Sequence, residues 1–166
     1  MKTETFTKNE FDIKIEHILD EYPDTSHLGE YTDKWVIGCV DRKRTGKHAK
    51  GCYLYFRLGA GCENYVEAAK KGRKHLADWA KNSMKAYYLM ESLNEDDWCY
   101  LCVRATASKN GVELGESSLW GIESNSDKTY FAEIESEMVE NAIIEAKEKL
   151  HALYVFKIEQ DYAVKR

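Results

Sequence analysis

The stretch that most constrains this chain is residues 97–127, DWCYLCVRATASKNGVELGESSLWGIESNSD. It reads as strand, tight turn, strand and helix start. Asn110-Gly111 supplies the turn, because a two-residue type I′ loop needs positive φ at both central positions and these residues tolerate it. Without a bulge, such a loop sets Leu101 opposite Trp120, Cys99 opposite Ile122 and Ala107 opposite Leu114. Alternation then separates two faces. Cys99, Leu101, Val103, Ala105, Ala107, Leu114, Trp120 and Ile122 form a core face, and Tyr100, Cys102, Arg104, Thr106 and Ser117 a wetter one. Glu116 conflicts with this pattern, because the register puts its carboxylate on the core face opposite Ala105. A bulge helped by Gly115 would relieve the conflict.

The remaining elements follow from local periodicity. Phe11, Ile13 and Ile15 alternate with Asp12, Lys14 and Glu16, which predicts a half-buried strand over 10–18. Residues 20–33, DEYPDTSHLGEYTD, are rich in turn formers and acids and read as a loop. KWVIGCV (34–40) and the alternating residues 52–58 read as two strands, joined as a hairpin by the basic loop DRKRTGKHAKG (41–51). A long helix is expected over 63–93, with Gly72 marking either a close approach or a break into two helices. The cluster Ser124, Asn125, Ser126 and Asp127 is an N-cap signal. The helix it opens, 128–153, buries Phe131, Ile134, Met138, Ala142, Ala146, Leu150 and Leu153. The order β-β-β-α-β-β-α predicts an α+β fold: an antiparallel sheet of about five strands with two long helices packed on it.

With 166 residues, 43% of them hydrophobic, and a single proline, the chain suits one globular domain over residues 1–166 with no disordered linker. No apolar run is long enough to span a membrane, and the N-terminus lacks the apolar core of a secretory signal. Five cysteines are an odd number, which argues against a disulfide framework and for a reducing cytoplasm.

LGEYTD (28–33), EDDW at the end of the long helix (95–98) and GESSLWGIESNSD (115–127) resemble a family of small, largely uncharacterised proteins of bacteriophages and mobile elements. Counting the intervening helix, the resemblance covers roughly half the chain. It implies a phage or mobile-element accessory protein in the cytoplasm of a bacterial host. Such a protein would bind a host protein or ribonucleoprotein complex and inhibit or modulate a nucleic-acid-targeting defence machine, in an anti-CRISPR-like manner.

Charge patterning suggests where such binding would occur. Net charge is −5, yet residues 40–85 carry twelve Lys/Arg against four Asp/Glu. Arg42, Lys43, Arg44, Lys47, His48 and Lys50 share one loop. Lys70, Lys74, Lys81 and Lys85 recur at helical spacing, diluted by Asp78. If loop and stripe face the same way, they form a patch for phosphates or for an acidic protein surface. Tyr53, Tyr55 and Arg57 on one strand face could add stacking. Ordinary solvated faces explain the same residues. The acidic helix, with Glu133, Glu137 and Glu140 on one side, also reads as a solvated face or a DNA-mimicking surface. A sequence-nonspecific nucleic-acid-binding protein, contacting DNA or RNA through residues 41–85, is therefore the alternative function.

Signals for catalysis and metals are sparse. Cys99-x-x-Cys102 has zinc-knuckle spacing, but an offset of three on a strand points the thiols to opposite faces. A complete ligand set would also need Cys39, Cys52, Cys62 or His48, so the cysteines read as small buried hydrophobes. His17, His27, His48, His75 and His151 are scattered, and the glycines form no phosphate-binding loop. The chain is expected to be no enzyme and to need no cofactor or metal. A third reading is a small metal-dependent nuclease using Asp20, Glu21, Asp24, Glu30 and Asp33 with a histidine.

Overall fold

Asn110 and Gly111 take φ of 53° and 77°, as a type I′ turn requires. A computed structural model describes residues 2–46, 53–59 and 63–164, with side-chain surroundings as far as residue 157. The turn joins β6 (Tyr100–Lys109) to β7 (Val112–Glu123). Lys109 opposes Val112 and Ser108 opposes Glu113, as a bulge-free hairpin would have it, but Ala107 then opposes Gly115 and Leu101 opposes Ile122. Two extra residues of β7 are thus absorbed, one around Leu114 and one around Trp120-Gly121, where Gly121 has φ 76°.

Each bulge inverts the alternation of faces. The first is the one Glu116 called for: Leu114 and Gly115 are buried, and Glu116 turns out to solvent opposite Thr106. That same inversion overturns the expectation for Trp120, carrying it off the core face, where it is 55% exposed, and the second bulge returns Ile122 to the core. Leu101 and Cys99 are only half-buried, whereas Tyr100 and Cys102, expected on the wetter face, are buried. Alternation assigns residues to faces, but it does not say which stretches of each face are covered.

The chain forms two compact units, Met1–Pro23 with Cys99–Arg166, and Asp24–Trp98. In the first unit four antiparallel strands run in the order β1-β2-β6-β7, with β1 (Thr3–Lys8) and β2 (Phe11–Leu19). The sequence expectation missed β1. It is a polar edge strand joined to β2 through Asn9 and Glu10, both at positive φ (51° and 69°). Helix α4 (Lys128–Val164) starts at Asp127, whose Oδ1 accepts from the Thr129 N–H at 2.7 Å. Hydrogen bonds from the Thr129 side chain and backbone hold the Asp127 carboxyl below its ordinary range. The core joins Phe11, Ile13, Ile15, Val103, Ala105, Ala107, Leu114 and Ile122 to Ile134, Met138, Val139, Ala142, Ile143 and Ala146 of the helix. A Cβ on Gly115 would lie 2.1 Å from the Ala142 carbonyl oxygen, so glycine here sets how closely helix and sheet approach. Leu153, expected in the buried stripe, is exposed, because α4 continues beyond the contacts made by Leu150.

The second unit is inserted between β2 and β6, which are themselves paired, Leu19 opposite Leu101. It holds β3 (Gly29–Thr32), β4 (Val40–Asp41), α1 (Arg42–Thr45), β5 (Tyr55–Leu58), α2 (Tyr65–Lys71) and α3 (Arg73–Asn94), with the strands in the antiparallel order β3-β5-β4. The α+β class holds, but the single sheet of about five strands is replaced by sheets of four and three strands. The expected loop at 20–33 contains β3, with Tyr31 opposite Phe56. The expected strand at 34–40 shrinks to Val40–Asp41, and Trp35 and Ile37 are exposed. That strand still pairs with β5 as the expected hairpin, Val40 opposite Phe56. Gly72, at φ 109° and ψ 177°, breaks the long helix in two; nothing lies within 4 Å of where its Cβ would stand, so the break explains the glycine and a close approach does not.

Candidate nucleic-acid or partner interface

The loop cations begin with α1. Asp41 caps this short helix, its Oδ1 accepting from the Lys43 N–H at 3.1 Å. The cap points Arg42 inward, and it is only 7% exposed. Its Nη2 donates to Glu91 Oε1 at 2.9 Å, its Nη1 donates to the Tyr53 carbonyl at 2.9 Å, and its guanidinium lies 4.6 Å from the Tyr31 ring centre. Tyr31 donates its hydroxyl proton to the same Glu91 oxygen at 2.7 Å and accepts from Asn94 Nδ2 at 2.9 Å. Burial, then the bond to Glu91, pushes the Tyr31 phenol well above its ordinary value. Arg42 therefore stands in a buried ion pair of its unit, and its guanidinium is not presented to a phosphate.

Other cations do face solvent. Lys43 is exposed. Arg44 has a side chain 87% exposed and, among the described residues, a single ion pair, to Asp41 at 3.3 Å. Lys70 is exposed on α2, and Lys74, Lys81 and Lys85 are exposed on α3. The break at Gly72 takes Lys70 off the stripe. The other three stay within about 40° of one another around the α3 axis, at roughly 100° per residue. They lie away from the buried Ser83, Tyr87 and Met90. Lys43, Lys70, Lys74, Lys81 and Lys85 make no ion pair among the described residues. Lys47, His48 and Lys50 lie outside the described residues. Tyr55 and Arg57 share a face of β5, but Arg57 is paired with Glu30.

Tyr65 and Trp79 recur at helical spacing in the sequence, and the structure brings their rings together from α2 and α3. The two rings pack edge to face at 5.4 Å, and the Trp79 Nε1–H donates to the Glu63 carbonyl at 2.7 Å. Beside them opens a groove of about 370 Å³ that includes Arg44, Met84 and Tyr88 among its walls. A more polar cleft of about 480 Å³, also walled by Trp79, is lined by His27, His75, Asp78, Asn82 and Lys85. The available signal was the spacing Lys74, Lys81, Tyr88: steps of seven keep all three on one side of a helix.

Four of the five carboxylates considered for metal chemistry are engaged within the chain. Asp20 accepts from the Tyr22 N–H, Asp24 from the Ser26 N–H and Asp33 from the Leu54 N–H, while Glu30 pairs with Arg57. Glu21 is exposed. Among the described residues no three His, Cys, Asp or Glu side chains converge as metal ligands. Cys52 and Cys62 lie outside the described residues; Cys102 is buried, and that burial raises its thiol pKa. On α4, Glu133, Glu137 and Glu140 are exposed, whereas Glu135 meets His17 at 2.8 Å and Lys2 at 3.1 Å.

Among the described residues no helix is long and apolar enough to cross a membrane. No protein-family model matches the chain, and neither a curated protein nor a solved structure matches it.

Proposed function

We propose that this chain is an accessory protein of the phage or mobile-element kind that binds a host nucleic-acid-targeting defence machine and restrains it by occupancy, in the manner of an anti-CRISPR protein. The observation that carries this reading is the exposed set Lys43, Lys74, Lys81 and Lys85, none of them in an ion pair among the described residues, together with the exposed Arg44 of the same unit. Cations left unpaired by their own fold suit a polyanionic counterpart. In such a machine that counterpart is bound guide or target nucleic acid, or an acidic groove that receives it.

The test is a plating assay. In bacteria whose CRISPR system targets a phage, expression of the chain should restore plaques, and Lys74→Glu/Lys81→Glu/Lys85→Glu should lose the effect at equal protein level. Unchanged plating across several CRISPR types would refute the anti-CRISPR reading.

The second reading, a nonspecific nucleic-acid-binding protein, is favoured by the aromatic groove beside Arg44, because ring faces next to cations suit nucleotides. No such observation favours the nuclease reading, since four of its five candidate carboxylates serve hydrogen bonds or ion pairs within the chain.

A further inference from the structure

We infer that the groove walled by Tyr65, Trp79, Met84, Tyr88 and Arg44 is a site for an unpaired nucleobase, so that the ligand of the cationic unit is single-stranded nucleic acid. The inference rests on the proposed cationic interface and names its ligand class. Three observations converge on it.

The groove holds about 370 Å³, within the range of sites that enclose small planar groups. One aromatic wall is presented, not sealed: Tyr88 is 48% exposed even though its ring packs against Tyr87 at 5.3 Å, while Tyr65 and Trp79 are partly buried. Charge lies where a sugar–phosphate chain would need it. Arg44 contributes an almost fully exposed guanidinium to the wall. Lys74 and Lys81 precede Tyr88 by two and one steps of seven residues on α3, so they form a row leading along the helix to the aromatic side chain.

Each nucleotide of a single strand carries an anion beside a flat π surface, and here a row of two lysines ends at an exposed aromatic ring with Arg44 on the same groove. Duplex nucleic acid offers the anions, but its bases are stacked and must be extruded to enter a groove. An acidic peptide offers the anions without a flat group at each step, so the aromatic walls favour the nucleic acid.

The experiment uses the full chain and three fluorescent probes: an oligothymidylate carrying one 2-aminopurine, a duplex of equal length, and a polyglutamate peptide. Stacking in the groove should quench the 2-aminopurine. The single strand should bind more tightly than the duplex. Tyr88→Ala should weaken single-strand binding by about tenfold with the salt dependence unchanged, because it removes a stack and no phosphate contact. Tyr88→Phe should restore binding, which separates lost stacking from lost folding. Equal binding of both nucleic acids, with Tyr88→Ala matching the native chain, would overturn the base site and leave the cationic interface standing. Binding of polyglutamate alone would overturn it in favour of an acidic protein partner.

Discussion

Its basic loop makes Arg42 a candidate phosphate contact, whereas the structure sets it in a buried ion pair, so Arg42→Leu separates the two roles. Glu91 is 6% exposed, and one of its oxygens accepts from both Arg42 and Tyr31. Without the guanidinium, a buried carboxylate keeps a single neutral donor from that pair. Breaking a buried ion pair from one side costs about 3–5 kcal/mol. With a urea dependence of roughly 2 kcal/mol per molar, the unfolding midpoint should fall by about 1.5–2.5 M, read by tryptophan fluorescence and circular dichroism. The double variant Arg42→Leu/Glu91→Leu should recover most of that loss, since it leaves no unpaired charge. Lys43→Leu, one residue away and exposed, should shift stability by no more than about 0.5 kcal/mol. A midpoint for Arg42→Leu within about 0.5 M of the native chain, together with lost nucleic-acid binding, would refute the buried role.

Two further perturbations follow from the same geometry. Tyr31 has a phenol pKa raised above its ordinary value of 10.0, so the folded chain holds its proton where the unfolded chain releases it. Its stabilisation is complete below that ordinary value and declines as pH rises beyond it towards the folded value. The urea midpoint should drop with pH above about 10, and Tyr31→Phe should drop less steeply; parallel slopes would contradict the assignment. Gly115→Ala forces a methyl onto the Ala142 carbonyl and should cost about 1–3 kcal/mol in the same denaturation assay, and an unchanged midpoint would show that α4 can move off the sheet.

The legible parts of the fold were those decided within a few residues. The Asn110-Gly111 turn, the Asp127 cap, the bulge that frees Glu116 and the break at Gly72 each follow from local backbone chemistry, and each is present. The parts that failed depend on distant partners. β1 alternates threonines with Glu4, Phe6 and Lys8, and it becomes a strand because β2 offers it an edge; Asn9 was the local hint. β3 looked like a loop because Gly29 and Glu30 disfavour strands, yet it pairs with β5 across the intervening β4 and α1. The same limit applies to the candidate interface. Exposed lysines on α3 were readable from helical spacing. The burial of Arg42 was not, because Glu91, its partner, lies 49 positions away. The groove was hidden because the rings of Tyr65 and Trp79 serve core and surface together, and periodicity gives one face to each residue.

The central claim is that the exposed α3 lysines engage a nucleic-acid-bearing host machine. The most direct measurement is capture by the tagged full chain from cells carrying a defined CRISPR effector, with the native chain and Lys74→Glu/Lys81→Glu/Lys85→Glu compared across a salt series. The account predicts that the native chain retains the effector with its guide RNA, that retention declines steeply with salt, and that charge reversal abolishes it. Equal retention by the two proteins, independent of salt, would contradict it.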